Sequence, residues 1–197
     1  MKLHQNSFVN YKGLSRMHNN KGKANISAII ISIVIVVILG GLTAFWIFMT
    51  PGYISRDKAV ANYFTAISNE DKNLYKNTCY SKKWQDNYSG NSAGIGIDAA
   101  IDMTNEFQSG ATYGDTEITV LQNLDKEYAD KMTDVLKSVY GADIHVSTIS
   151  KVNFTVKTTF EGEKESSGTL TRYVYKTGGK WFFLADPEVI VLLDLAG

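Results

Sequence analysis

The spacing of the hydrophobic residues changes along the chain of 197 residues. An almost unbroken apolar run, ISAIIISIVIVVILGGLTAFWIFM, covers residues 26–49. After it, apolar residues recur every three to four positions as in amphipathic helices, and the last third of the chain alternates with a period of two, as strands do. Helices followed by strands predict an α+β domain behind one long apolar segment.

The apolar run has the length of a transmembrane helix. No charged residue occurs between Ala24 and Ser55. The 24 residues of segment 26–49 would form a helix of about 36 Å, against a hydrocarbon core of about 30 Å. A buried core helix rarely runs this long without a polar position. A cleavable signal peptide is the main alternative, but its apolar region is normally about 7–15 residues long.

Charge sets the predicted orientation in the membrane. Five of the 20 basic residues precede the apolar run, and all 20 acidic residues follow it. The positive-inside rule therefore predicts a cytoplasmic tail at 1–25, a transmembrane helix at 26–49, a linker at 50–55 and an extracytoplasmic domain at 56–197. The bilayer is the first expected partner, and the cell membrane the expected location.

Helical spacing predicts three helices before the first strand. The first covers 56–68, and the second begins after a cap at 69–71 and ends near Cys79. Segment 81–94, SKKWQDNYSGNSAG, is polar and predicted to be turns. A third helix follows it. The apolar stripes comprise Val60, Tyr63, Phe64 and Ile67 in the first helix, Leu74 and Tyr75 in the second, and Ile97, Ala100, Ile101 and Thr104 in the third, with Met103 and Phe107 beside them.

A period of two begins after Gly114. TEITVLQNL predicts a strand, and a helix from Asp125 to a stop at Gly141 follows it. KVNFTVKTTF and TLTRYVYK predict two further strands. The predicted inward residues are Ile118, Val120 and Leu124 in the first strand, Tyr128, Met132, Val135, Leu136 and Val139 in the helix, and Val152, Phe154, Val156 and Phe160 in the second strand.

The last strand, KWFFLAD, follows a turn at Thr177-Gly178-Gly179. Its consecutive apolar residues predict cover on both faces. The helices would supply one cover, and the other would be a partner or the C-terminal helix VIVLLDL, which begins at Asp186-Pro187-Glu188. Trp181 and Phe183 are therefore candidate residues of an interaction surface.

Two segments carry a family resemblance. AVANYFTAISNEDKNLYKNTCY near the start of the domain and YVYKTGGKWFFLADP near its end resemble the nuclear transport factor 2-like (cystatin-like) superfamily, in its membrane-anchored exported bacterial form. The resemblance covers about residues 55–188 and implies a curved antiparallel sheet around a long helix, forming a cone. The predicted ligand pocket of that cone comprises Tyr63, Phe64, Tyr128, Tyr173 and Tyr175. The helix at 125–140 departs from the pattern, and leaves the strand order open and the pocket partly filled.

The inventory of reactive residues favours no catalytic or metal site. The predicted extracytoplasmic domain has one histidine, His145, and one cysteine, Cys79, so neither a zinc site nor a histidine-based triad is indicated. Asp98 and Asp102 lie one helical turn apart, where they could share a proton or bind a metal, although such pairs are usually solvated. No cofactor is predicted, and the acidic domain argues against nucleic-acid binding.

The resulting functional prediction is a single-pass, membrane-anchored, extracytoplasmic binding or assembly module without catalytic activity. Its layout is similar to that of scaffold components of conjugative and type IV secretion channels, so an envelope protein or a second copy is the expected partner. Two alternatives stay open. One is a sensor that binds a small ligand or cell-wall component in the cone cavity, and the other is a ketosteroid-isomerase-like enzyme, which needs a carboxylate and a tyrosine side by side.

Overall fold

The computed structural model describes residues 50–88, 90, 94–108, 110–160 and 164–195. The tail predicted at 1–25 and the transmembrane helix predicted at 26–49 lie outside these residues. Within the described ranges, no helix combines the length and the apolar character that crossing a membrane requires. The described residues belong to one compact unit, Phe48–Gly197.

The described part of the chain is an α+β domain, as predicted. Its helices pack on a strongly curled antiparallel sheet. In chain order the elements are α1 (Arg56–Ser68), α2 (Lys72–Cys79), α3 (Lys82–Asn87), α4 (Ile97–Phe107), β1 (Ala111–Asn123), α5 (Lys126–Tyr140), β2 (Val146–Phe160), β3 (Ser166–Thr177), β4 (Lys180–Phe183) and α6 (Pro187–Leu195).

The sheet has the strand order β1-β2-β3-β4, and all of its pairs are antiparallel. Thus β1 and β2 are neighbours although the 15 residues of α5 lie between them in sequence. Two register shifts interrupt the β1–β2 ladder, one between Tyr113 and Thr116 and one between Val120 and Gln122. Such bulges bend a strand and increase its twist, which is consistent with the curl.

Local capping explains where the first helices begin. The hydroxyl of Ser55 accepts a hydrogen bond from the Lys58 amide at 3.3 Å, and Asp71 Oδ1 accepts one from the Leu74 amide at 2.9 Å. Segment 81–94, predicted to be turn-rich, also contains the short helix α3. Ser81 caps α3 through the Trp84 amide, and the Trp84 side chain, 0% exposed, anchors this short helix in the core.

The predicted stripes hold in most positions and fail at Val120, Val139 and Phe160. Val120 of β1 is 39% exposed and lies where the β1–β2 register shifts. Val152, Phe154 and Val156 of β2 are buried, but Phe160 is 47% exposed. Phe160 is the last residue of β2 and lies opposite the small Ala111, which cannot cover an aromatic ring. Met132 and Leu136 of α5 are buried, whereas Val139 is 41% exposed, because Tyr140 takes the buried position in the last turn.

Residues 50–53 of the predicted linker, here called the strap, are hydrogen-bonded to the domain. Tyr53 and Trp181 exchange backbone hydrogen bonds of 2.9 and 2.7 Å, which adds a one-residue bridge outside β4. The Gly52 amide donates to the Asn77 carbonyl at 2.9 Å, and the Lys180 ammonium donates to the Thr50 carbonyl at 2.8 Å. The chain is therefore hydrogen-bonded to the domain from Thr50 onward.

Candidate functional site

Two of the five predicted pocket residues, Tyr63 and Phe64 on α1, lie in the packed core. The Tyr63 ring stacks on Phe183 of β4 with centroids 3.9 Å apart, and Phe64 contacts Phe154 of β2 at 5.1 Å. Phe64 also contacts Tyr113 of β1 at 5.0 Å. These rings fill the space between α1 and the sheet, where the resemblance implied a cavity.

The other three pocket candidates point to different surroundings. Tyr175 is 0% exposed and donates a 2.8 Å hydrogen bond to the Cys79 carbonyl. Tyr173 donates to Asp194 of α6 at 2.6 Å, and this partner together with burial raises the pKa of Tyr173 to about 12. Tyr128 is half-buried on α5. The five candidates therefore do not line one cavity in the described part of the chain.

The two residues predicted for an interaction surface are also buried. Trp181 is 8% exposed and Phe183 is 2% exposed. The Arg56 guanidinium lies 4.3 Å from the Trp181 ring centroid, and Phe183 lies under Tyr63. The prediction that β4 is covered on both faces is confirmed, since Phe182 on the opposite face stacks on Tyr175 at 5.2 Å. The cover comes from this chain itself, so neither Trp181 nor Phe183 offers a free surface.

A different site lies between α2, α4 and the connection from β4 to α6. This open cleft has a volume of about 230 Å³. We call it the tyrosine cleft. Its lining is mostly aromatic and apolar, and consists of Tyr75, Tyr80, Tyr88, Ile95, Ala100, Met103, Thr104, Phe107, Ala185, Asp186 and Pro187.

Asp186 is the only charged residue among those lining residues, and it is 3% exposed. It begins α6 as predicted, because its Oδ1 accepts hydrogen bonds from the Glu188 and Val189 amides, both at 3.1 Å. The same oxygen accepts a 2.8 Å hydrogen bond from the Tyr140 hydroxyl. Burial raises the pKa of Asp186 above its usual value, and the amide and phenol donors offset part of that rise.

Aromatic side chains continue from Asp186 into the core. The Tyr140 ring stacks on Tyr88 with centroids 4.9 Å apart, and Tyr88 meets Tyr80 edge-on at 5.9 Å. Trp84 contacts Tyr80 at 5.0 Å. Burial raises the pKa values of Tyr80, Tyr88 and Tyr140, and the charge of Asp186 raises them further. All three phenols are therefore neutral at physiological pH.

The outer wall of the cleft is α4. Its Ile97 and Ile101 are buried against the domain, while Met103 is 47% and Phe107 is 86% exposed at the rim. The two carboxylates considered for metal or proton sharing are each paired across to α2, Asp98 with Lys76 and Asp102 with Lys72. Exposed pairs of this kind contribute about 0–1 kcal/mol each, so Ile97 and Ile101 contribute most to holding the wall.

Sequence reasoning recognised Asp186 as a helix start but missed the cleft. Tyr80, Trp84 and Tyr88 lie at i, i+4 and i+8, a spacing that places them on one helical face, and this was the available signal within a segment interpreted as turns. His145 is exposed, and its carbonyl accepts a 2.8 Å hydrogen bond from the Thr177 hydroxyl. Among the described residues, no group of three His, Cys, Asp or Glu side chains could hold a metal ion.

Comparison with known proteins gives no match: no protein-family model, no curated protein and no solved structure is similar to this chain. The fold is α+β, with helices on a strongly curled antiparallel sheet.

Proposed function

We propose that this chain is a single-pass, membrane-anchored module that binds a small ligand outside the cell in the tyrosine cleft, and that it does so without catalysis. One observation carries the proposal. A cleft of about 230 Å³ combines aromatic and apolar walls with a single buried carboxylate, the usual composition of a small-molecule site.

The anchoring and the finer fold are parts of the same proposal. The uncharged segment 26–49 supports a membrane span, and the strap begins directly after that segment in the sequence. The curled sheet packed on α1 and the tight turn at Gly178 and Gly179 support a nuclear transport factor 2-like domain. The chain departs from that family in where its ligand would bind, because aromatic rings fill the space between α1 and the sheet.

Binding is favoured over a ketosteroid-isomerase-like reaction. Such an enzyme needs a carboxylate beside a tyrosine, and Tyr140 and Asp186 provide this pair. However, the oxygen of Asp186 that accepts from Tyr140 also caps α6 through two amides. The single hydroxyl hydrogen of Tyr140 is donated to this carboxylate and is therefore not available to polarise a substrate carbonyl, which supports a structural use of the contact.

A test of the cleft can use the five methionines of the chain. In the full-length protein in lipid nanodiscs, labelled with ¹³C at the methionine methyl groups, apolar aromatic fragments should shift the Met103 methyl resonance saturably. The Met132 resonance should stay in place, because Met132 is 1% exposed in the core on α5. Met103 lines the cleft, so the two resonances separate binding in the cleft from a general effect on the fold.

The matched variants for this test are two alanine-to-tryptophan changes on helices. Ala100→Trp would fill the cleft, because Ala100 lines it, and should weaken fragment binding about tenfold or more. Ala61→Trp on the exposed face of α1 should leave binding unchanged. Equal binding by the Ala100→Trp variant and the wild type, or no shift of Met103 at millimolar fragment, would contradict the proposed site.

A second candidate function is assembly, and the outer face of α6 favours it. This helix buries Val189 and Leu193 but exposes Val191, Leu192 and Leu195, by 53, 44 and 80% respectively. An exposed apolar row of this kind suits contact with an envelope protein or a second copy. A scaffold role in a secretion or conjugation complex belongs to this candidate.

Crosslinking the full-length chain in its native membrane tests assembly. We expect a reproducible set of crosslinked proteins that is lost when Leu192 and Leu195 are both replaced by lysine. The control replaces the exposed Thr169 and Thr171 of β3 with lysine, and this variant should keep the crosslinks. Crosslinks that survive the α6 changes would remove α6 as the assembly surface.

A further inference from the structure

Two carboxylates share one hydroxyl at the polar end of the tyrosine cleft. Tyr140 has one hydroxyl hydrogen, yet two carboxylate oxygens lie within hydrogen-bond distance of its oxygen, Asp186 Oδ1 at 2.8 Å and Glu188 Oε2 at 3.1 Å. One hydrogen cannot serve two carboxylates at full strength. Tyr140 therefore has no second hydrogen for the other oxygen of Asp186.

One oxygen of Asp186, the carboxylate that lines the cleft, has no hydrogen-bond donor among the described residues. Every hydrogen bond that a described residue makes to the Asp186 side chain ends on Oδ1. Oδ2 thus accepts none from the described residues, although Asp186 is 3% exposed and lines the cleft. This oxygen is not among the fully buried side-chain atoms that lack a partner, so a donor on a ligand in the cleft can reach it.

Charge in the cleft is also one-sided. The described residues that line it include Asp186 and no lysine, arginine or histidine. The influences on the pKa of Asp186 are burial, amide and phenol hydrogen bonds and the neighbouring charge of Glu188, and none of these is a cation. A cation entering the cleft would meet an uncompensated negative charge in a poorly solvated place.

The walls suit a cation as well. Tyr75, Tyr80, Tyr88 and Phe107 contribute ring surface and Met103 contributes a polarisable thioether. Aromatic faces attract organic cations through their quadrupole, most strongly where water is excluded. An apolar cavity of about 150 Å³ holds benzene, so a cleft of about 230 Å³ has room for one ring and a short arm.

We propose that the ligand of the tyrosine cleft is a small organic ammonium ion with an apolar or aromatic body. The ammonium group donates to Asp186 Oδ2, and the body lies against the tyrosines, Met103 and Phe107. This inference rests on the proposed binding function and names the ligand class of the same cleft. An anion is repelled by Asp186, and a neutral ligand leaves its charge uncompensated.

The test compares three probes of similar size and different charge. Benzylammonium, benzyl alcohol and benzoate are titrated at pH 7.5 into the full-length protein in zwitterionic nanodiscs, with the methyl shift of Met103 as the signal and Met132 as the internal control. We expect benzylammonium to bind about tenfold or more tightly than benzyl alcohol, and benzoate to bind least. N-acetyl-lysine methylamide carries the same ammonium without a ring, and represents the side chain of a partner protein. It should bind more weakly than benzylammonium.

Two asparagine variants locate the effect. Asp186→Asn keeps a good helix cap and removes the charge, so benzylammonium and benzyl alcohol should then bind within about threefold of each other. Asp98→Asn removes an exposed carboxylate that is paired with Lys76 outside the cleft lining, and should keep the tenfold preference. Each variant must retain the wild-type Met132 resonance.

The outcomes separate this inference from the proposed function. If all three benzyl probes shift Met103 with equal affinity, the cleft is a binding site but the preference for a cation is wrong. If no probe shifts Met103, both proposals fail. Tighter binding of the lysine amide than of benzylammonium, or a cation preference that persists in Asp186→Asn, would also overturn the inference.

Discussion

Replacing Gly52 with alanine should destabilise the domain by about 2–5 kcal/mol, since a left-handed backbone costs about 1–2 kcal/mol and an overpacked core about 1–3 kcal/mol. Gly52 has φ of +86°. A Cβ atom on it would lie 2.4 Å from Cζ of Phe182 and within 2.9 Å of two further ring atoms. The Phe182 ring is 2% exposed and stacked on Tyr175, so it has little room to move away.

Gly178→Ala is the matched control for Gly52→Ala. Gly178 has φ of +56°, also left-handed, but a Cβ there meets nothing within 4 Å. Its cost should be the backbone cost alone, about 1–2 kcal/mol. Urea unfolding of the full-length chain in nanodiscs, followed by tryptophan fluorescence, measures both. Equal losses in the two variants would mean that Phe182 gives way and that the strap is not tightly packed.

Asp186→Ala should lower the free energy of unfolding by about 2–4 kcal/mol, because it removes a helix cap and leaves the buried Tyr140 hydroxyl without its closest acceptor. Asp186→Asn should cost far less at pH 7, since the amide oxygen can accept the same hydrogen bonds and carries no charge to desolvate. The comparison separates the hydrogen-bonding role of Asp186 from its charge.

The pH dependence of the Asp186→Asn variant has a definite sign. Burial raises the pKa of Asp186 in the folded state above its ordinary value of 3.8. The stability linked to this group is therefore fully present below about pH 3.8 and is lost as pH rises through the raised pKa. Wild type should accordingly lose stability relative to Asp186→Asn between pH 4 and pH 7, as measured by urea midpoints. A difference that stays constant would mean that the carboxylate is solvated in the folded protein.

The sequence was informative wherever the signal is local. Several correct predictions depend on residues within a few positions of one another. They are the apolar stripe and the C-terminal stop of α5, the helix caps at Ser55 and Asp71, and the two-glycine turn before β4. Predictions failed where distant residues decide. Whether Phe160 is covered depends on what lies opposite the last residue of β2, and whether Tyr63 lines a cavity depends on Phe183, 120 positions later in the chain.

By itself, the sequence determined the α+β class, the helix boundaries near 56–68 and 125–140, and the burial of both faces of β4. These features depend on hydrophobic periodicity, capping residues and turn residues, which act over a few neighbouring positions. Only the tertiary structure decided which partners those faces meet. The curl of the sheet brings the rings of α1 onto Phe154 and Phe183, which fills the predicted pocket. The return of β4 places Asp186 beside Tyr140 and α4, which creates a cleft that no local pattern encodes.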